Sequence, residues 1–328
     1  MNYISYDGLS SDIRKNIHRL QLQNFDLVVG LPRSGIVPAY MIGLHLNIHC
    51  TDLASFIDNT KLKVGRTRAA KSSQFQYPHD AKKILIVDDS IASGNSLKTD
   101  ISMVPEELRG KITTCAIYSS QQNRDDVDIF FNYCALPRIF EWNLFHHPEL
   151  KNACLDIDGV LCVDPTKEQN DDGENYINFI LNAQPMFIPT VKVHALVTSR
   201  LEKYREQTEL WLKRHNIQYD NLIMLDLATK EERQRLGNHG KHKAKYYKKS
   251  SCSLFIESEY AQTIEINKIT KKPVICTDRN VIVNNTLYNE IAIVKSSFRT
   301  LLISFIPKPI KQVLKRLKIY IKTFRLTF

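Results

Sequence analysis

Short apolar runs alternate with helical periodicity along most of the chain. Runs rich in Val, Ile and Leu read as strands at about 26–30, 48–53, 83–89, 111–118 and 129–134. A second series, near 152–157, 193–197, 221–225, 252–257 and 273–277, begins after the aromatic stretch FEWNLFHHPEL. Helical patterns lie between them, as at 34–46, 201–215 and 259–269. Strands that are apolar throughout need cover on both faces, so the alternation predicts parallel sheets flanked by helices in an α/β fold. The pattern divides into units at 1–150 and 151–295, with a third segment at 296–328.

That third segment has a different character. In IPKPIKQVLKRLKIYIKTFRLTF, Ile310, Val313, Leu314, Leu317, Tyr320, Ile321 and Phe324 fall at helical spacing, and Lys311, Lys315, Lys318, Lys322 and Arg325 occupy another face. Such a basic amphipathic helix suits an anionic membrane surface, with packing on the body as the ordinary alternative. No acidic residue follows Glu290, and nine lysines and arginines do. The net charge of +10 therefore belongs to the tail, and the first 290 residues are close to neutral. A nucleic-acid partner is not expected from such a body.

At 328 residues, two domains are the prior. Hydrophobic content of 43% and charged content of 24% are those of a globular protein. No apolar stretch is long enough to span a bilayer, and no secretion signal is read at the start. The seven cysteines show no C-x-x-C spacing and read as reduced thiols, mostly buried.

Candidate chemistry starts at ILIVDDSIASGNS (84–96), where a strand reaches Asp88 and Asp89 and opens onto a turn of small residues. Ligands of open parallel sheets bind beyond the strands' carboxyl ends. Two carboxylates there accept from hydroxyls, and a small-residue turn entering a helix near Ser93 lets backbone N–H groups approach an anion. Read alone, the two acids could precede an ordinary helix cap. The whole pattern, with Ala92, Ser93, Gly94, Asn95 and Ser96, resembles the type I phosphoribosyltransferases. LVVGLPRSGIVPA (27–39) repeats strand, tight loop and helix. The resemblance implies that Leu31, Pro32, Arg33 and Ser34 hold the pyrophosphate of phosphoribosyl pyrophosphate (PRPP), with Mg²⁺. It also implies that Asp88 and Asp89 hold the ribose hydroxyls, and that a loop with Lys63, Arg66 and Arg68 closes over the donor. Trp142 and Phe140 lie where the family carries a hood; they either stack on an acceptor or simply pack.

ACLDIDGVLCVDPT (153–166) is a strand ending in Asp156, Ile157, Asp158 and Gly159. Carboxylates two apart at a strand end, followed by a turn glycine, suit one Mg²⁺ and one phosphate. One attacks phosphorus while the other moves a proton. The segment resembles the first motif of the haloacid dehalogenase superfamily. The later motifs then imply Thr198 as phosphoryl contact and Lys243 (with Lys241 and Lys245 as alternatives) as the cation. They also imply Glu257, with Glu259 near it, as metal ligand beside Asp156 and Asp158. The 39 residues between Asp158 and Thr198 leave no room for a large cap.

The expected fold is thus two Rossmann-like domains, a phosphoribosyltransferase fold and a dehalogenase-like fold with minimal cap. The pair resembles the dual-domain ribofuranosyltransferases of bacterial surface polysaccharide assembly. That resemblance implies transfer of 5-phosphoribosyl to a lipid-linked glycan acceptor, with inversion to a β-ribofuranoside, and then removal of the 5-phosphate. The place would be the inner face of the cytoplasmic membrane. The alternatives are a nucleobase phosphoribosyltransferase fused to a nucleotidase, and a PRPP-sensing regulatory protein.

Overall fold

The apolar runs of the first half become five parallel strands. The computed structural model describes residues 1–63, 65, 70–71, 75–229, 232 and 239–284, so Arg66, Arg68 and the tail at 296–328 lie outside the described residues. β1 (Asn2–Ile4) belongs to neither main sheet. β2 (Leu27–Gly30), β3 (His49–Asp52), β4 (Ile84–Ile91), β5 (Ile112–Ser119) and β6 (Ile129–Tyr133) form a sheet of order β3-β2-β4-β5-β6, every pair parallel. Successive residues of β4 enter opposite cores: Leu85 and Val87 on one side, Ile84 and Ile86 on the other. This two-sided burial is what an unbroken apolar run requires.

Two strands run past the chemistry expected at their ends. β4 continues through Asp88 and Asp89, because Ser90 and Ile91 still pair with Tyr118 and Ser119. The following helix starts at Asn95 rather than Ser93 (Asn95–Ser102), after Gly94 takes φ +83°. In the second half, β9 continues past Thr198 to Leu201.

The second sheet has β8 (Ala153–Leu155), β9 (Val193–Leu201), β10 (Tyr219–Leu225), β11 (Leu254–Glu257), β12 (Val274–Cys276) and β13 (Val281–Val283). Its order is β10-β9-β8-β11-β12-β13, parallel except for the last pair. Between β8 and β9 one α-helix, Glu174–Asn182, is described. No described helix is long and apolar enough to cross a membrane.

β1 joins the two units. It pairs in parallel with β7 (Arg138–Phe140). Alternation along β7 sends Ile139 into the core of the second unit and Phe140 into that of the first. β1 does the same with Tyr3 and Ile4. Leu144, Phe145 and Leu150 also pack into the second core. The strand is too short and its partner too distant for periodicity to reveal it.

Candidate active sites

Two groups of carboxylates sit at the carboxyl ends of the two sheets. In the first unit, the loop after β2 is pressed onto β4. A Cβ on Gly35 would lie 2.7 Å from the Leu31 carbonyl oxygen, 2.8 Å from the Val87 carbonyl oxygen and 2.9 Å from Asp88 Cα, so only glycine fits. Leu31 is buried in the core and its N–H donates to Val87 O at 2.9 Å. It anchors the loop. Pro32 and Arg33 are exposed, joined by a cis peptide bond.

Ser34 is tied inward. Its hydroxyl donates to Asp89 Oδ1 at 2.9 Å, and the Trp142 indole N–H donates to Asp89 Oδ2 at 2.8 Å. Trp142 also stacks on Phe140, with ring centroids 4.8 Å apart. Asp89 is buried and held from both sides. Asp88 accepts from the Asp89 N–H at 2.8 Å. Burial, then the neighbouring charge of Asp89, pushes the Asp88 carboxyl up to about 8.

The turn after β4 exposes Ala92, Ser93, Asn95 and Ser96. Arg124, absent from the sequence reading, supports it: Nη1 donates to Ala92 O at 2.7 Å and Nη2 to Asp126 Oδ2 at 2.6 Å. Asp126 closes on Gly94 so tightly that a Cβ there would lie 2.0 Å from its Oδ2. Only the adjacency of β4 and β5 brings this loop here, and no local motif announces it. Lys63 is exposed.

In the second unit, β8, β11 and the helix His239–Lys249 converge. Lys243 Nζ lies 2.5 Å from Asp156 Oδ2, 2.7 Å from Glu257 Oε2 and 2.9 Å from Gln262 Oε1, all within a nearly buried cluster. Helical phase picks Lys243 from the three candidates, since Lys241 and Lys245 are exposed. Burial alone would lower the Lys243 ammonium's pKa, but the charges of Asp156 and Glu257 more than offset this and raise it. Burial raises Asp156 to about 7; Lys243 opposes that rise, and Glu257 and Asp158 add to it.

Asp158 has another partner. Arg200, fully buried, donates from Nη2 to Asp158 Oδ1 at 2.6 Å and from Nε to both oxygens at 3.1 Å. The sequence reading placed Asp158 on a metal with Asp156; the structure places it on this guanidinium. Thr198 is fully buried, and its Oγ1 accepts from the Arg200 N–H at 3.2 Å. Ser199, one residue on, lines the adjoining cavity of about 410 Å³ together with Asp156, Asp158, Asp164 and Glu257.

The oxygen-rich lining has the donor chemistry of a hard divalent cation. Asp164 is raised first by burial and then by Asp158, Asp278 and Glu257, which records an excess of negative charge. No group of three acids, histidines or cysteines among the described residues is set around a common metal position, because Asp156 and Glu257 close on Lys243.

Residues 5–149 match the phosphoribosyl transferase domain family. The first unit is thus a phosphoribosyltransferase-type domain, and the two loops over Asp88 and Asp89 belong to it. This stretch is 26% identical over 132 residues to a xanthine-guanine phosphoribosyltransferase of Chromohalobacter salexigens, covering 40% of this chain and 76% of that protein. A xanthine-guanine phosphoribosyltransferase of Cereibacter sphaeroides is 29% identical over 133 residues, covering 39% and 77%. The solved xanthine-guanine-hypoxanthine phosphoribosyltransferase of Helicobacter pylori superposes on 43% of this chain and 92% of its own, with a TM-score of 0.31 at 17% identity.

Proposed function

We propose that the chain is a two-site enzyme. It transfers 5-phosphoribosyl from PRPP to a glycan acceptor with release of pyrophosphate, and then hydrolyses the 5-phosphate. The observation that carries the reading is the pairing, in one chain, of a phosphoribosyltransferase-type domain with a second site built on Asp156, Lys243 and Glu257.

In the first reaction an acceptor hydroxyl attacks C1 of the donor, the bond from C1 to the pyrophosphate oxygen breaks, and pyrophosphate leaves. The exposed Arg33 meets the leaving group's charge. Asp89, held by Ser34 and Trp142, fixes the ribose hydroxyls. Asp88, raised toward neutrality, takes the acceptor's proton when ionised. Mg²⁺ bound with the donor supplies further neutralisation of the phosphates.

In the second reaction the ionised Asp156 attacks phosphorus as the bond to the ester oxygen breaks; that oxygen takes a proton from water, and a further water then attacks the aspartyl phosphate, releasing phosphate and the Asp156 carboxylate. Lys243 offsets the repulsion between the nucleophile and the phosphate. Asp158, fixed by Arg200, stands ready to orient the water. A cation at Asp156 and Glu257 would supply additional charge for the phosphoryl oxygens.

The names of the relatives favour a different acceptor, a purine base, and on the comparisons alone this is the better-supported choice. On the two-site reading the second site supports the glycan instead, since a phosphatase there would degrade a nucleotide as soon as one formed. The test is to incubate the full chain with PRPP and Mg²⁺, offering either guanine and xanthine or methyl glycosides. Pyrophosphate and phosphate are then quantified separately. Glycoside-dependent release of both, in equal amounts, supports the proposal; turnover of the bases alone replaces it with the second reading.

A further inference from the structure

A cleft of about 430 Å³ lies between the two units, lined by Tyr6, Glu141 and Trp142 from one side and Phe187, Thr277 and Asn280 from the other. Its walls are bonded to, or continuous with, residues of both sites. At one end Trp142 is bonded to Asp89. At the other, the turn after β12 contributes Thr277 and Asn280 to the cleft and Asp278 to the carboxylate cavity. Thr277 N–H donates to the Glu257 carbonyl at 2.9 Å, so this wall is built directly on the second site.

The lining mixes flat apolar faces with polar edges. Phe187 stacks at 4.7 Å on the buried Phe145 and still has 43% of its surface exposed; Tyr6 has 45%. The Glu141 carboxylate is anchored by the Tyr6 N–H at 2.7 Å. Aromatic faces beside a carboxylate, a hydroxyl and an amide suit a sugar ring, which has an apolar C–H face and a rim of hydroxyls. The volume is in the range of small-molecule sites.

We propose that this cleft is a carbohydrate subsite shared by both reactions, holding the terminal hexose-class sugar of the acceptor while the new ribosyl phosphate passes from Asp88 and Asp89 to Asp156. This rests on the two-site reading above and names where its acceptor binds.

The experiment uses the full chain with PRPP and Mg²⁺ and a panel of methyl glycosides of hexoses and N-acetylhexosamines, with guanine in parallel. Phe187→Ala and Asn280→Ala touch neither carboxylate group. Each should lower kcat/KM for the active glycoside at least tenfold, leaving the KM for PRPP unchanged, and should let the phosphorylated product escape before its phosphate is removed. Only two tryptophans are present, and Trp211 is buried, so quenching of Trp142 fluorescence by the glycoside gives a second readout of binding. Unchanged glycoside kinetics in both variants, with glycoside-dependent release intact in the parent protein, overturns the subsite. Absence of glycoside-dependent release in the parent protein overturns the two-site reading on which the subsite rests, so the two failures are told apart.

Discussion

Trp142 holds Asp89 by an indole hydrogen bond of 2.8 Å between residues 53 apart in the chain. The bond makes the position of this carboxylate depend on the segment that leads into the second unit. A hydrogen bond to a charged group contributes about 1.5–3 kcal/mol. Trp142→Phe keeps the stacking on Phe140 and removes the donor. It should lower pyrophosphate release on the order of ten- to a hundredfold, measured by a coupled assay at saturating PRPP, and lower the melting temperature by several degrees.

Asp88 makes stability depend on pH and, if it serves as the proposed base, activity as well. Its carboxyl rises from 3.8 to about 8 on folding. The stabilisation from the retained proton is complete below the unfolded value and is lost as pH rises through about 8. Melting temperature should therefore fall across that window, with Asp156 contributing in the same direction. Asp88→Asn should flatten part of the slope. Pyrophosphate release should change the opposite way, rising toward about pH 8 as Asp88 ionises.

Lys243 bridges two buried carboxylates. Lys243→Met leaves Asp156 and Glu257 facing one another, and breaking a buried pair costs about 3–5 kcal/mol. Calorimetry should show a clear loss of stability. Added Mg²⁺ should restore more of it in this variant than it adds to the parent protein. Equal effects of Mg²⁺ on both would argue against a shared cation at these oxygens.

Gly94 meets two constraints at once, φ +83° and the Asp126 carboxylate. Gly94→Ala should cost about 1–2 kcal/mol from the backbone alone and weaken PRPP binding further by displacing Asp126. Calorimetric titration should show that Gly94→Ala with Asp126→Ala recovers only the steric part.

Strand positions and the acids at their ends were legible because parallel sheets bury long apolar runs and collect their carboxyl ends at one edge. Asp88, Asp89, Asp156 and Glu257 follow from that rule. Their partners do not. Arg200 reads as the polar end of a strand, yet two-residue alternation puts it with Thr198 on a buried face and leaves Ser199 toward the cavity. Arg124 reaches the turn after β4 only because β5 lies beside that strand. The cleft draws on four separate segments, with no local pattern common to them.

The pairing of β1 with β7 bears on any attempt to divide the molecule. A cut near residue 150 would separate Ile139, Leu144 and Phe145 from the core they fill, and would leave an apolar scar on each half. The Met1 carbonyl, bonded to Asn284 at 2.9 Å, would lose its partner as well. The two halves should thus reassemble when co-expressed rather than behave as independent proteins, the opening residues acting as a clasp between them.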